Sequence, residues 1–383
     1  MRSLLFLGAA LLFAAGCSPA APAPEEVVIG ADLELSGSGA NVGKVYEQAL
    51  RLRVEQINHD GILRNRHLSL VIRDNRSDPA TSAANIKALS GDPTIRALVT
   101  GACGQCIVDS AKVVNDIGIP TIALARPIGV SQPVGERRFV FKLGPNVDDD
   151  ATVLTSELAA AALQRVAVVG PDDQYGTDAI GALSRKFERS GVTAGITERV
   201  PLAGGDLAAT ASRIAKLRPV VQAAVILAYA PSAAQMAQAL RTEGFTGRFM
   251  FGSAAADGLF LSNDTASAMD GAGLVFTPTL VSDDIIATSP AKANRVAWFR
   301  DYLSAYGTYS AYASFAADAV NLVTDAIAQT GRTDRESLRT TIETTRMDGL
   351  SGPIRLTPAN HSGLMPQAVT LLVATNGRWR LAS

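Results

Sequence analysis

From Val27 onward, short apolar runs rich in β-branched residues alternate with longer Ala- and Leu-rich stretches. VVIGADL, HLSLVIRD, IRALVTG and IPTIALA come first, separated by segments of helical length; RVAVVGPD, VVQAAVILAY, RFMFGS and GLVFTP then repeat the rhythm. Runs that are apolar throughout mark strands buried on both faces, the condition of a parallel sheet covered by helices. The pattern therefore predicts βαβ organisation. The first set closes near Lys142 and the second opens near Arg165, with a predicted helix from Val147 to Leu163 between them. Two α/β lobes follow. Residues 291–346 are helical in pattern and 350–381 strand-like, so the last part of the chain is expected to complete both lobes.

Ahead of this body, Arg2 precedes an apolar run from Leu4 to Ala15 that ends in Ala14-Ala15-Gly16-Cys17. A dozen or so residues are too few for a membrane span, which needs about 20, and the pattern is that of an export signal. Small residues directly before a cysteine resemble a bacterial lipobox, with Cys17 lipidated as the first mature residue; simple secretion with cleavage near Ala20 and Ala21 is the alternative. Residues 18–26 (SPAAPAPEE) have nothing to pack a core with and read as a tether.

Composition narrows the function. Hydrophobic residues make up 47% of the 383 and charged ones 19%, which suits packed globular lobes. Lys plus Arg number 35 against 36 for Asp plus Glu, leaving no positive field to hold nucleic acid. The Gly-rich loop LSGSGANVGK (35–44) sits between strand and helix. It fails as a P-loop, because Ser38 stands where the first glycine is required and Val45 follows Lys44, and its glycines are misspaced for GxGxxG. Its backbone amides are instead expected to face a ligand above the strand ends. No cofactor is implied. Cys103 and Cys106 open a predicted helix as CxxC: a disulfide formed after export is one reading, a redox pair the other, and no companion histidines support a metal site. His59, His67 and His361 read as solvated loop residues. Asp148, Asp149 and Asp150 read as helix-start carboxylates, and Tyr175 is expected to project from the loop after RVAVVGP.

IGADLELSGSGANVG, VEQINHDGIL, LVIRDNRSDPATSAANIKAL, VAVVGPDDQYGTDAIGAL and SAYASFAADAVNLVTDAI followed by MDGLSGPIRL together resemble the bacterial Leu/Ile/Val-binding protein family, the type I periplasmic receptors of ABC importers. The resemblance implies two Rossmann-like lobes with parallel-type central sheets, joined by a three-crossover hinge and closing on a ligand. It divides the chain into a signal peptide (1–16), a lipidated cysteine and tether (17–26), a first lobe (27–146 plus 279–350) and a second (147–278 plus 351–383).

The departures from the family bear on the ligand. The hydroxyl residues that hold an amino acid's α-carboxylate align with Gln105 and Pro127, and proline has neither hydroxyl nor NH. The acid that takes the ammonium group aligns with Ala254, with Asp257 three residues on. Of the aromatic contacts only Tyr175 is kept, Val42 and Ala230 standing at the others, while Tyr229 is a possible substitute. Arg126, beside Pro127, is a candidate for a ligand carboxylate, or else turns to solvent. The expected contacts are Ser36, Val42, Cys103, Gln105, Ala125, Arg126 and Pro127 from one lobe, and Tyr175, Tyr229, Ser253, Ala254 and Asp257 from the other. The resemblance thus implies a monomeric, membrane-anchored solute receptor without catalysis, partnered by an ABC permease. Its ligand is expected to be an organic acid or a fairly apolar molecule rather than a free α-amino acid. A sensory protein of the same fold and a periplasmic thiol oxidoreductase are the rivals.

Overall fold

The computed structural model describes residues 24–201, 206–256 and 267–382. Cys17 and Asp257 lie outside them. Five strands, β1 (Glu25–Leu33), β2 (Arg66–Asp74), β3 (Ile95–Thr100), β4 (Thr121–Ala123) and β5 (Val140–Lys142), form a parallel sheet in the order β2-β1-β3-β4-β5. The connections carry α1 (Ala40–His59), α2 (Pro79–Gly91) and α3 (Gly104–Ile117). The chain then leaves this sheet through α4 (Val147–Ala160) and builds a second from β6 (Arg165–Pro171), β7 (Thr193–Val200), β8 (Ala223–Ile226), β9 (Arg248–Phe251) and β10 (Gly273–Phe276). Helices α5 (Gln174–Phe187), α6 (Leu207–Lys216) and α7 (Ala230–Thr242) connect these strands.

After β10 the chain returns to the first body with α8 (Pro290–Tyr306), α9 (Ala313–Thr330) and α10 (Arg335–Ile342), α9 packing along α1. A short ribbon of β11 (Arg346–Asp348) and β12 (Pro353–Arg355) follows. The chain then crosses once more, and β13 (Thr370–Thr375) and β14 (Arg378–Leu381) join the second sheet antiparallel beside β10, giving the order β14-β13-β10-β9-β8-β6-β7. The result is two α/β lobes linked by three passages of chain.

The reason for this layering lies in the strands. AAVI of β8, at the sheet centre, is buried at every position, and β9 is buried at all but its first. Edge strand β7 (TAGITERV) keeps polar residues exposed along most of its length, which is why no apolar run announces it. Helix α9 is buried on nearly every side, Asp318 included. Asp318 accepts hydrogen bonds from Leu350 N (2.8 Å), Ser351 N (2.7 Å) and Ser351 Oγ (2.7 Å). The sequence segments AADAV and GLSG are thus joined by one carboxylate, which fixes where the chain turns for its last crossing.

That crossing corrects one expectation. His59 and His67 are exposed, but His361 is fully buried. Its segment runs beside β5, with Lys142 N donating to His361 O and Gly363 N to Lys142 O, each at 2.8 Å. The ring lies 4.6 Å from that of Phe141, with Nε2 3.2 Å from Glu343 Oε1.

Candidate ligand site between the lobes

The C-terminal strand ends of both sheets face one another, where parallel α/β sheets place their ligands. In the first lobe the central element is a residue that the sequence did not single out. Glu34, at the end of β1 and only 1% exposed, accepts hydrogen bonds from Ala102 N (2.9 Å), Cys103 N (3.0 Å) and Asn75 Nδ2 (3.2 Å). Two glycines let the backbone come this close: a β-carbon at Gly101 would overlap the Glu34 carboxylate, and one at Gly43 its carbonyl oxygen. The Gly-rich loop is tied down similarly, with Leu35 N and Ser36 N on Asp74 Oδ1, Ser36 Oγ on Asp74 Oδ2 (2.7 Å) and Gly39 N on Ser77 Oγ.

These bonds overturn the expectation that the loop amides await a ligand. The protein's own carboxylates already occupy several of them, so an anion needs another donor. Gln105 does not supply it, being exposed and donating to Asp109 Oδ1 (2.5 Å) along α3. Ser36 is exposed as well. Val42 is half-buried against the core, Ala125 is fully buried, and Pro127 packs on Gly104. Cys103 and Cys106 are joined in a disulfide across the first turn of α3, with Cα atoms 5.3 Å apart.

Arg126 turns inward. It is 4% exposed, its guanidinium carbon lies 5.1 Å from the centre of the Tyr312 ring, and its Nε has no hydrogen-bond partner among the described residues. No described carboxylate forms an ion pair with it. Its carbonyl accepts from Lys142 Nζ at 3.0 Å, and burial pulls the Lys142 ammonium down to about 8. Tyr46, Tyr175, Tyr229 and Tyr312 all lie close enough to feel the guanidinium charge.

In the second lobe the Tyr175 and Tyr229 rings lie 5.6 Å apart. Tyr229 Oη donates to Asp173 Oδ2 (3.2 Å), while Asp173 Oδ1 caps α5 through Gly176 N (2.7 Å). Tyr175 is buried and its hydroxyl has no partner among the described residues. Ser253 and Ala254 are buried at the end of β9, and Tyr312, on the returning segment, donates across the lobes to Ser253 O at 2.9 Å. A second cross-lobe bond runs from Ile128 N to Asp178 Oδ2 (2.9 Å).

An acid does stand here, although Ala254 is not one. It is Asp150 of α4, 3% exposed, with Oδ2 accepting from Ser253 N at 2.9 Å. All three aspartates stand in the first turn of α4, as the sequence reading has them, but they part company there: Asp148 pairs with Arg185 and Asp149 with Asn146 Nδ2, while Asp150, one position on, points into the protein. Burial pushes the Asp150 carboxyl up to about 6, against the opposing pull of Ser253 and Arg126. Two surface grooves are also present, one of about 750 Å³ beside Arg53 and Trp298, away from this cluster, and one of about 510 Å³ beside Arg355 that Lys142 and Asp149 border from the cluster's edge. In the first, Arg53 is satisfied by Asn321 and Gln56. The interlobe cluster is the better candidate because its buried charges are not so matched.

Residues 26–378 match the family described as periplasmic binding protein, and the chain belongs to that family. None of the curated proteins compared with it matches. Solved structures share the fold at low identity. An extracellular ligand-binding receptor from Rhodopseudomonas palustris HaA2 is 20% identical, with a TM-score of 0.83 over 93% of this chain and 99% of that one. A solute binding protein of an ABC transporter from Rhodopseudomonas palustris BisB5, in complex with 3,4-dihydroxy benzoic acid, is 16% identical, with a TM-score of 0.79 over 92% and 95%. An ABC transporter substrate-binding protein from Desulfitobacterium hafniense, in complex with Leu, is 19% identical, with a TM-score of 0.76 over 94% and 100%.

Proposed function

We propose that this periplasmic binding protein is an exported receptor that closes its lobes over a small organic anion and hands it, chemically unchanged, to the permease of an ABC importer. Arg126 carries the reading. A guanidinium stays protonated even when buried, and a buried charge without a partner costs several kcal/mol. A ligand carboxylate offsets that cost with a two-pronged, charge-assisted bond. The engaged amides beside Glu34 and Asp74 support the same assignment by leaving the anion to Arg126. The acids bound by the Rhodopseudomonas palustris BisB5 and Desulfitobacterium hafniense proteins are consistent with it.

In this reading residues 27–146 plus 279–350 move as one lobe and 147–278 plus 351–383 as the other. Arg126, with Cys103 and Pro127 nearby, meets the ligand from the first, and Tyr175, Tyr229, Ser253 and Ala254 from the second. Only the closed form touches the ligand from both sides, so binding shifts the population toward closure. A lipid on Cys17 and the Pro-rich tether would keep the body, a monomer, near a membrane. A thermal-shift screen of small carboxylates, followed by small-angle scattering with the best stabiliser, tests this. The radius of gyration is expected to fall on binding; an unchanged radius with a bound carboxylate overturns the closure.

A further inference from the structure

Resting on the reading that a carboxylate pairs with Arg126, we propose that Asp150 is a second anchor in the same cleft: it accepts a hydrogen bond from a hydroxyl of the solute, so the receptor selects hydroxylated carboxylates over simple ones. Asp150 is not needed to begin α4, whose N-cap is Asn146. Instead its Oδ2 reaches Ser253 N, 103 residues on, and its Oδ1 has no hydrogen-bond partner among the described residues. The Tyr175 hydroxyl is likewise buried and unpartnered there. The two side chains converge beside Gly252, where a β-carbon would lie 3.3 Å from Tyr175 Oη and 3.6 Å from Asp150 Oδ2. Asp150 Oδ1, the Tyr175 hydroxyl and the neighbouring Ser253 Oγ are all buried without a hydrogen-bond partner among the described residues, and one incoming hydroxyl meets the first two of these needs. It donates to Asp150 Oδ1 and accepts from Tyr175 Oη.

Charge decides between a hydroxyl and an ammonium. The groups facing Asp150 are Asp149 on its own helix, Arg126 from the first lobe, Lys142 from the end of β5, and Tyr175 from α5. Arg126 and Lys142 already face the Asp150 carboxylate, with Asp149 and Asp178 as the other acids there, so Asp150 does not depend on a ligand ammonium for counter-charge; what its Oδ1 lacks is a hydrogen-bond donor, which a neutral hydroxyl supplies.

The test is calorimetric titration of the full exported chain with matched acids: benzoate against 3- and 4-hydroxybenzoate, and 3-phenylpropionate against 3-phenyllactate and phenylalanine. In at least one set the hydroxylated acid is expected to bind ten-fold or more tightly than its unhydroxylated partner. Asp150→Ala should shrink that ratio below three-fold. Asp150→Asn, which keeps the shape of the side chain, should reduce the ratio at least three-fold and covers the case in which the alanine variant does not fold. A hydroxyl without effect in the wild type, a ratio that survives either substitution, or tightest binding of phenylalanine in its set overturns the proposal while leaving the Arg126 reading intact. If none of these acids binds at millimolar concentration, both fall.

Discussion

Tyr312 reaches across the cleft to donate its phenolic hydrogen to the carbonyl of Ser253 at 2.9 Å, with Ala254 O also within 3.3 Å. A side chain on the segment that returns to the first lobe is thereby fastened to a strand end of the second. The same ring lies under the Arg126 guanidinium, so one residue both steadies the proposed anion-binding group and links the two lobes, as a latch would in the proposed closure. Tyr312→Phe keeps the ring and loses the latch. Binding of any stabilising carboxylate should weaken by about 0.5–1.5 kcal/mol, the net worth of one such bond, and calorimetry of the two proteins checks it. Unchanged affinity would mean that the bond is equally present in the open form.

Asp150 predicts a pH dependence with a definite sign. Its carboxyl sits near 6 in the folded protein and at the ordinary aspartate value when unfolded. Between those values the native state binds more protons than the unfolded one, so stability contributed here falls as pH rises from about 4 to about 6. The cost, roughly 2–3 kcal/mol, is present in full above that window. Asp150→Asn should therefore raise the melting temperature at pH 7.5 and leave it nearly unchanged at pH 4. Equal shifts at the two pH values would remove the acid from the buried position given it here.

The disulfide between Cys103 and Cys106 spans three residues, and a bridge over so short a loop constrains the unfolded chain little. The Glu34 carboxylate also holds Cys103 N without it. Replacing both cysteines with serine is expected to leave the fold and the affinity for a stabilising carboxylate within a few-fold of wild type. Alkylation and mass spectrometry of the unsubstituted protein should find no free thiol at these positions; two free thiols would contradict the bridge.

Much of the fold was legible because parallel strands buried on both faces leave uninterrupted apolar runs, as in β6, β8 and β9. Strand β7 escaped because an edge strand may stay polar along its exposed side, and its Thr, Glu and Arg residues carry no such signature. The site was less legible, for a related reason. Gln105 was placed in the cleft by alignment, but the helical turn after Cys103 points it to solvent. Asp150 was hidden by its neighbours: three consecutive aspartates on a helix fall about 100° apart, so one of them turns inward, and the sequence does not say which. Glu34 offered a signal that was passed over, a carboxylate set between leucines at the end of a buried strand. His361 breaks the expectation because a Pro- and Gly-bounded segment resembles a surface loop even when, as here, it runs buried beside β5 and bonds to Lys142.

The most direct test of the central claim is a titration of the wild type and Arg126→Ala with the carboxylate that stabilises the wild type most, under identical salt. Loss of a hydrogen-bonded charge partner should cost about 1.5–3 kcal/mol, or roughly 10- to 150-fold in Kd, with the variant otherwise folded by circular dichroism. Equal dissociation constants for the two proteins would contradict the account, since the buried Arg126 guanidinium, which forms no ion pair among the described residues, would then have no part in holding the anion.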